Sequence, residues 1–403
     1  MARKPKRDLT VDEQLARGPM DLPFLMLVLI LVGIGTVMVF SASFATAYYD
    51  SKIGDPTYYF FRQALFAVAG LAIMIVVSKI NYQTFRWMSV FVLAVAILLL
   101  IAVLIPGIHT ERSDNVRRWI RSIGPIPAFQ PSEIAKVGVI MYFSARLSKR
   151  NQEKPVRLSP RSFWSGPVAW LDRIGFLELV PYGAILLLIV ILMKMEPHMS
   201  GTILILAGAA AVLFAAGIKL YWFALGGGAM GLLLALSMQG YQSTRILVWK
   251  DPWAYPQDGG YQIIQSLYAI GSGGLLGLGL GKSRQKFLYL PEPENDFIFA
   301  IVCEELGYVG AAIVILLFVL LIIRGYWLAV HARDRFGSLL VVGITTLLAV
   351  QVFLNISVVT NLLPTTGISL PFFSYGGTAL MIQLAEMGMV LSVSRQISAP
   401  RQE

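Results

Sequence analysis

Of 403 residues, 56% are hydrophobic and 14% charged, against about 25% charged in an ordinary soluble domain. A mean hydropathy of +0.68 leaves too few polar groups to clothe a globular surface, which excludes a water-soluble enzyme and implies a membrane protein. The net charge of +10 would suit nucleic acid in a soluble chain, but in a membrane protein it first reports which side the cations occupy.

Spanning a bilayer takes roughly 20 apolar residues per helix. Apolar runs fall at 22–44, 60–78, 87–107, 132–145, 176–193, 200–217, 219–238, 296–323, 337–360 and 372–394, which predicts an all-α polytopic membrane protein of ten transmembrane helices. The first run follows a polar arm, exceeds the usual signal-peptide apolar region and lacks a small-residue cleavage site, so it reads as a retained anchor. The fourth run is short and carries Glu133 and Lys136; the sixth and seventh nearly abut at Gly217, Ile218 and Lys219.

With both termini cytoplasmic, the inside segments hold 20 of the 33 Lys and Arg residues, the outside segments 12, and Lys136 lies within a span. That asymmetry predicts a cytoplasmic tail over 1–20, one transmembrane domain over 21–394 and a cytoplasmic tail over 395–403. Residues 239–295 become a large extracytoplasmic loop between helices seven and eight. The outside cations are clustered, Arg112, Arg117, Arg118 and Arg121 in one loop and Arg245, Lys250, Lys282, Arg284 and Lys286 in another, and an anionic ligand is the simplest reason for cations on that face. The inside cluster from Arg146 to Arg173 reads as a topology signal and anionic-lipid contact.

The long loop combines aromatics, cations and a glycine run over 271–281, a composition suited to re-entrant backbone satisfied by protein. A phosphate-binding G-x-x-x-x-G-K-[ST] loop ending at Gly281, Lys282 and Ser283 would need glycine where Leu276 stands, so a nucleotide loop is rejected. Next come Glu292, Glu294, Asn295 and Asp296 at the mouth of the eighth run. Asp296 reads either as a helix N-cap or as a functional carboxylate, and Asp296, Ala300 and Glu304 share one face if the helix begins there. In the fourth run Glu133 and Lys136 are three apart, either a local pair or a cation that also reaches a substrate or Asp296. Glu386 should face the bundle interior, as ionisable groups inside a bilayer do. His198 reads as a structural, hydrogen-bonded residue, and the prolines and glycines of 363–377 as helix ends and close packing. Cys303, the single cysteine, excludes an intramolecular disulfide, and His109, His198 and His331 are too scattered to support a zinc site.

Five blocks in order, at 118–119, 130–136, 260–266, 286–307 and 364–377, resemble the SEDS family (shape, elongation, division and sporulation) of FtsW/RodA-like proteins, closer to the FtsW and sporulation branch. Two departures stand out: Glu196, Pro197 and His198 where Gln-Pro-Asp is common, and Glu294, Asn295 and Asp296 where His-Thr-Asp is common. The resemblance implies a peptidoglycan glycosyltransferase of the bacterial cytoplasmic membrane that polymerises lipid II at its outer face. It implies partnership with a class B penicillin-binding protein and other division proteins, contact with membrane lipids and no nucleic acid. It implies Asp296 as catalytic base; cations such as Arg118, Lys136 and Arg245 then suit the leaving diphosphate, and Glu133, Gln265, Ser266, Lys286 and Glu305 join them as the expected substrate-binding residues. No particular cofactor is implied, and a divalent cation sharing the charge of the diphosphate stays an open alternative. A lipid II flippase and a non-catalytic divisome scaffold are the rival readings; a flippase predicts charges at mid-membrane, whereas here they gather at the outer end.

Overall fold

A computed structural model of the chain describes residues 18–110, 117–122, 127–150, 175–237, 241–257 and 259–399. Among these residues the fold is all helical, in the order α1 (Leu22–Tyr49), α2 (Tyr58–Lys79), α3 (Tyr82–Ala102), α4 (Pro131–Ser148), α5 (Phe176–Met195), α6 (Met199–Ala215), α7 (Leu220–Ser237), α8 (Tyr241–Lys250), α9 (Gly260–Gly273), α10 (Ile298–His331), α11 (Arg335–Val359) and α12 (Gly377–Ile397). Every predicted apolar run overlaps a helix, with ends that differ by up to several residues. Seven of them, α1, α2, α3, α5, α10, α11 and α12, are long and apolar enough to cross a membrane, and α6 is a shorter apolar helix. The protein is a multi-pass membrane protein.

Local chemistry sets the helix starts. Asp21 caps α1 by accepting from the Phe24 N–H at 3.0 Å, and Pro131, which has no N–H to leave unbonded, opens α4. Asp334 caps α11 through the Gly337 N–H at 3.1 Å and also accepts from the Tyr82 hydroxyl at 2.7 Å and Gln83 Nε2 at 2.8 Å, tying the starts of α3 and α11 together. Packing then ranks the helices. Of the apolar stretch of α12, 72% is buried, and of α11 61%, against 22% for α2 and for α5. The first two form the hub, while the others turn apolar side chains outward on most of their surface, as lipid requires.

The glycine run answers a break in α10. At Gly307 the backbone leaves the helix, with φ 68°, and the bonds that Tyr308 and Val309 would donate to the carbonyls of Glu304 and Glu305 are absent. The run supplies substitutes: the Leu278 and Gly279 N–H groups donate to those carbonyls at 3.0 Å each, and Tyr308 and Val309 donate to Gly274 and Leu275 at 2.9 and 3.1 Å. The backbones meet so closely that a Cβ on Gly277 would sit 2.2 Å from the Glu305 carbonyl oxygen, and one on Gly307 2.2 Å from the Gly277 nitrogen. Glycine is therefore required on both sides. The backbone of 271–281 is thus satisfied by protein, and the break in α10 is what it satisfies in return. Beyond the break, Tyr308–His331 is about 36 Å long, enough for the ~30 Å hydrocarbon core, so Glu304 and Glu305 need not lie deep in lipid.

Two sequence expectations are corrected. The eighth predicted run is α10, which begins at Ile298 and not at 296, and Phe297 stands at its cap with no side-chain bond, so Asp296 neither caps it nor shares a helical face with Ala300 and Glu304. The last helix begins at Gly377, and residues 371–376 form a turn. In both places a hydrogen-bonded loop takes residues that hydropathy alone assigned to a span. Arg112 and the stretch 151–174 lie outside the described residues.

Candidate active site

Asp296 is held through its backbone by three donors on successive carbonyls. The Tyr375 N–H donates to the Glu294 carbonyl at 2.8 Å, the Ser374 hydroxyl to that of Asn295 at 2.8 Å, and Asn355 Nδ2 to that of Asp296 at 2.8 Å. Asn355, buried on α11, also donates to the Ile368 carbonyl at 2.7 Å. One carboxamide thus ties α11, the loop 361–376 and the aspartate into a single frame. Gly367, with φ +70°, lies beside the carboxylate: a Cβ there would stand 3.3 Å from Asp296 Oδ2. Sequence reasoning missed Asn355, although an amide within an apolar run is the signal that finds such residues.

The charges of two arginines from separate loops act on this carboxylate. Arg245 on α8 donates through Nη1 to the Thr365 carbonyl at 2.9 Å, and Trp249, one turn on, donates to Asn361 at 3.2 Å, so α8 is docked on the loop that carries Gly367. Arg118 comes from a segment folded back on itself, with the Ile120 N–H bonded to Phe129 at 3.0 Å and the Thr110 N–H to Trp119 at 2.9 Å, and its guanidinium donates to the Pro197 carbonyl. Burial raises the Asp296 carboxyl to about 6, with Glu292 adding to the rise and Arg118 and Arg245 opposing it. A carboxylate that titrates near neutrality beside two guanidiniums can accept a proton and neighbour an anion at once.

The other predicted site residues divide. Glu133 and Lys136 pair at 2.8 Å on α4, with Lys136 buried. The field of Lys136 reaches His198 and Glu386, not Asp296 as one reading had it. His198 is buried, its ring within 3.1–3.2 Å of Gln130 Nε2, as expected of a structural histidine. Glu386 is buried in the bundle, beside a small apolar cavity between α3, α4 and α12. Gln265 is half-buried on α9, whose Gln262 donates to the Pro291 carbonyl at 3.2 Å.

Three residues expected at the substrate are turned inward instead. The Ser266 hydroxyl, fully buried, donates to the Val359 carbonyl at 2.8 Å. Lys286 and Glu305 form a buried pair at 3.1 Å, with the Ser41 hydroxyl donating to Glu305 at 2.7 Å and Lys286 Nζ to the Gly281 carbonyl at 2.7 Å. Here Ser266 bonds to the end of α11, and Lys286 and Glu305 bond to each other, contacts between distant segments that spacing could not show.

The sequence profile of the FtsW/RodA/SpoVE family, described as "Cell cycle protein", matches residues 22–399. Stage V sporulation protein E of Bacillus subtilis is 40% identical over 381 residues, 93% of this chain and 97% of the relative. A probable peptidoglycan glycosyltransferase FtsW of Geobacter sulfurreducens is 40% identical over 380 residues, covering 94% and 95% of the two chains. Among solved structures, a chain of a peptidoglycan synthase complex that coordinates polymerization and crosslinking matches with a TM-score of 0.70 at 26% identity, over 94% of this chain and 98% of that one. The rod shape determining protein RodA of Thermus thermophilus matches with a TM-score of 0.64 at 25% identity, over 93% and 97%.

Proposed function

Because this chain belongs to the FtsW/RodA/SpoVE family, we propose that it is a peptidoglycan glycosyltransferase that polymerises lipid II into glycan strands at the outer face of the cytoplasmic membrane. The cell-cycle description of the family and the FtsW relatives favour a role in division. The topology that fits is ten spans with both termini cytoplasmic, tails over 1–20 and 395–403, and residues 239–295 outside, which puts Asp296 at the headgroup level where the sugars and diphosphate of a lipid-anchored substrate lie. The match to a chain of a peptidoglycan synthase complex supports a class B penicillin-binding protein as partner.

In the reaction, the Asp296 carboxylate accepts the proton of the acceptor GlcNAc 4-hydroxyl, and that oxygen forms a bond to the anomeric carbon of the donor MurNAc. The bond from that carbon to the diphosphate breaks, its electron pair leaves with undecaprenyl diphosphate, and the α-linked donor becomes a β-linked product by a single inversion. Arg118 and Arg245 stabilise the charge that gathers on the leaving diphosphate, with Lys136 and Glu133 further back on α4. Gln265 on α9 remains a proposed sugar contact. A divalent cation bound at the diphosphate would share with Arg118 and Arg245 the neutralisation of its charge.

The observation that carries this reading is the Asp296 carboxylate, fixed through its backbone beside Gly367 and within the field of two arginines from different loops. Purified full-length protein, incubated with its partner and labelled lipid II, should make polymer, and Asp296→Asn should lose about 100-fold or more of that activity while remaining folded. Equal polymerisation by the variant would remove the role given to Asp296. Lipid II crossing liposomes without polymer would favour a transporter.

A further inference from the structure

Glu196 is the most anomalous carboxylate among the described residues. It follows the last turn of α5, where its N–H donates to the Leu192 carbonyl at 3.1 Å, and its side chain is 0% exposed. Neither carboxylate oxygen has a hydrogen-bond donor among the described residues. An ionised carboxylate in such a place costs several kcal/mol unless a cation joins it. The cation whose field acts on it is Arg118, whose guanidinium donates to the carbonyl of Pro197, the next residue. Arg118 is also one of the two arginines that act on Asp296. One guanidinium, bonded to the residue next to Glu196, therefore acts on two carboxyl groups, one in the site and one buried.

We infer that Glu196 is a positioning residue for Arg118: as the neutral acid it leaves the guanidinium turned toward an anionic ligand beside Asp296, and as the carboxylate it draws that guanidinium back to itself. The inference rests on the proposed function for the identity of the ligand, a lipid-linked diphosphate. The charged groups around Glu196 are few. Arg118 comes from the preceding loop, Lys136 and Glu133 lie on α4 with the Lys136 field reaching His198, and Lys194 in the last turn of α5 is exposed. His198, held well below its ordinary range at about 3 by burial and by the Arg118 and Lys136 charges, is neutral and cannot serve as the counter-ion. Burial raises Glu196 to about 8, with Arg118 opposing the rise, so the group is protonated at neutral pH and ionises in the mildly alkaline range.

Two carboxyls that need opposite states give a bell. Asp296 must be ionised to accept a proton, which sets the acid limb near 6, and Glu196 must be neutral to release Arg118, which sets the alkaline limb near 8. The test is the pH profile of polymerisation, as kcat/KM for labelled lipid II, of the full-length protein with its partner. Wild type should fall about tenfold per pH unit above the alkaline midpoint, with KM carrying most of the fall. Glu196→Gln, which keeps the shape and cannot ionise, should match wild type at pH 7 and lose the alkaline limb.

A merely structural role for Glu196 would leave the limb where it is. A wild type without an alkaline limb, a Gln variant that keeps it, or a folded Gln variant inactive at every pH overturns the inference. As a second variant, Glu196→Asp should retain an alkaline limb, displaced along the pH axis. Failure of the wild type to make polymer at any pH would instead fell the proposed function, so the two failures are told apart.

Discussion

Asp296 and the pair Glu304 and Glu305 come from one sequence block, yet the fold treats them in opposite ways. Glu304 accepts from the Ser283 hydroxyl at 2.5 Å and from the Arg284 N–H at 2.9 Å, and Glu305 accepts from the Ser41 hydroxyl, the Ser283 N–H and Lys286. Their oxygens are saturated, and what they hold is the turn 281–286 against the break in α10. Asp296 has its backbone saturated instead, through Asn355, while its half-buried carboxylate is reached by the fields of Arg118 and Arg245. A carboxylate bonded on every side organises structure, and one whose donors are on the backbone keeps its oxygens for a substrate.

The sharpest way to break this contrast is Asp296→Asn, for which a loss of about 100-fold or more in polymerisation is expected with no loss of thermal stability. A drop in stability as large as that of a Glu305 variant would place Asp296 among the structural carboxylates. Glu305→Gln, by contrast, should cost about 3–5 kcal/mol by leaving Lys286 buried without its partner, seen as a lower unfolding midpoint in detergent. Gly307→Ala should cost about 1–3 kcal/mol, since its Cβ meets the Gly277 nitrogen at a positive φ, and the same measurement checks it. Asn355→Ala removes two hydrogen bonds from the frame around Asp296; lost alignment should lower kcat more than it raises KM, on the order of 10-fold.

The smallest expected effect is electrostatic. Arg245 holds the Asp296 carboxyl down, so Arg245→Gln should move the acid limb of the rate profile above about 6, toward higher pH. The sign follows because the ionised form is the base: activity is lost as pH falls through this value, and removing a cation makes protonation easier. A limb that stays in place would separate Arg245 from Asp296.

Much of the frame was legible in the chain, and the reason is length scale. The Glu133–Lys136 pair was readable because a three-residue spacing is short-range geometry. The glycine run was readable as backbone in need of partners, while the partner itself, the break at Gly307, was hidden because nothing in the run points to a residue 30 positions on. For Ser266 and Lys286, polarity in a motif reported that each group needs a partner, and only the fold showed the protein partners they have, Val359 and Glu305. Arg118 and Arg245 were singled out as cations on the wrong side for topology, but that both act on one carboxylate depends on α8 docking to Thr365 and on the loop around Ile120 folding back.

The sequence by itself determined that this protein lives in a membrane, which runs become helices and which carboxylate stands at a helix mouth. Each of these is set by local hydropathy and spacing, which the solvent reads residue by residue. The tertiary structure alone decided that Asp296 lies outside α10, that Asn355 pins it, and that Glu304 and Glu305 serve the fold. Those outcomes turn on hydrogen bonds between distant segments, and a buried donor takes whichever acceptor the packing brings to it.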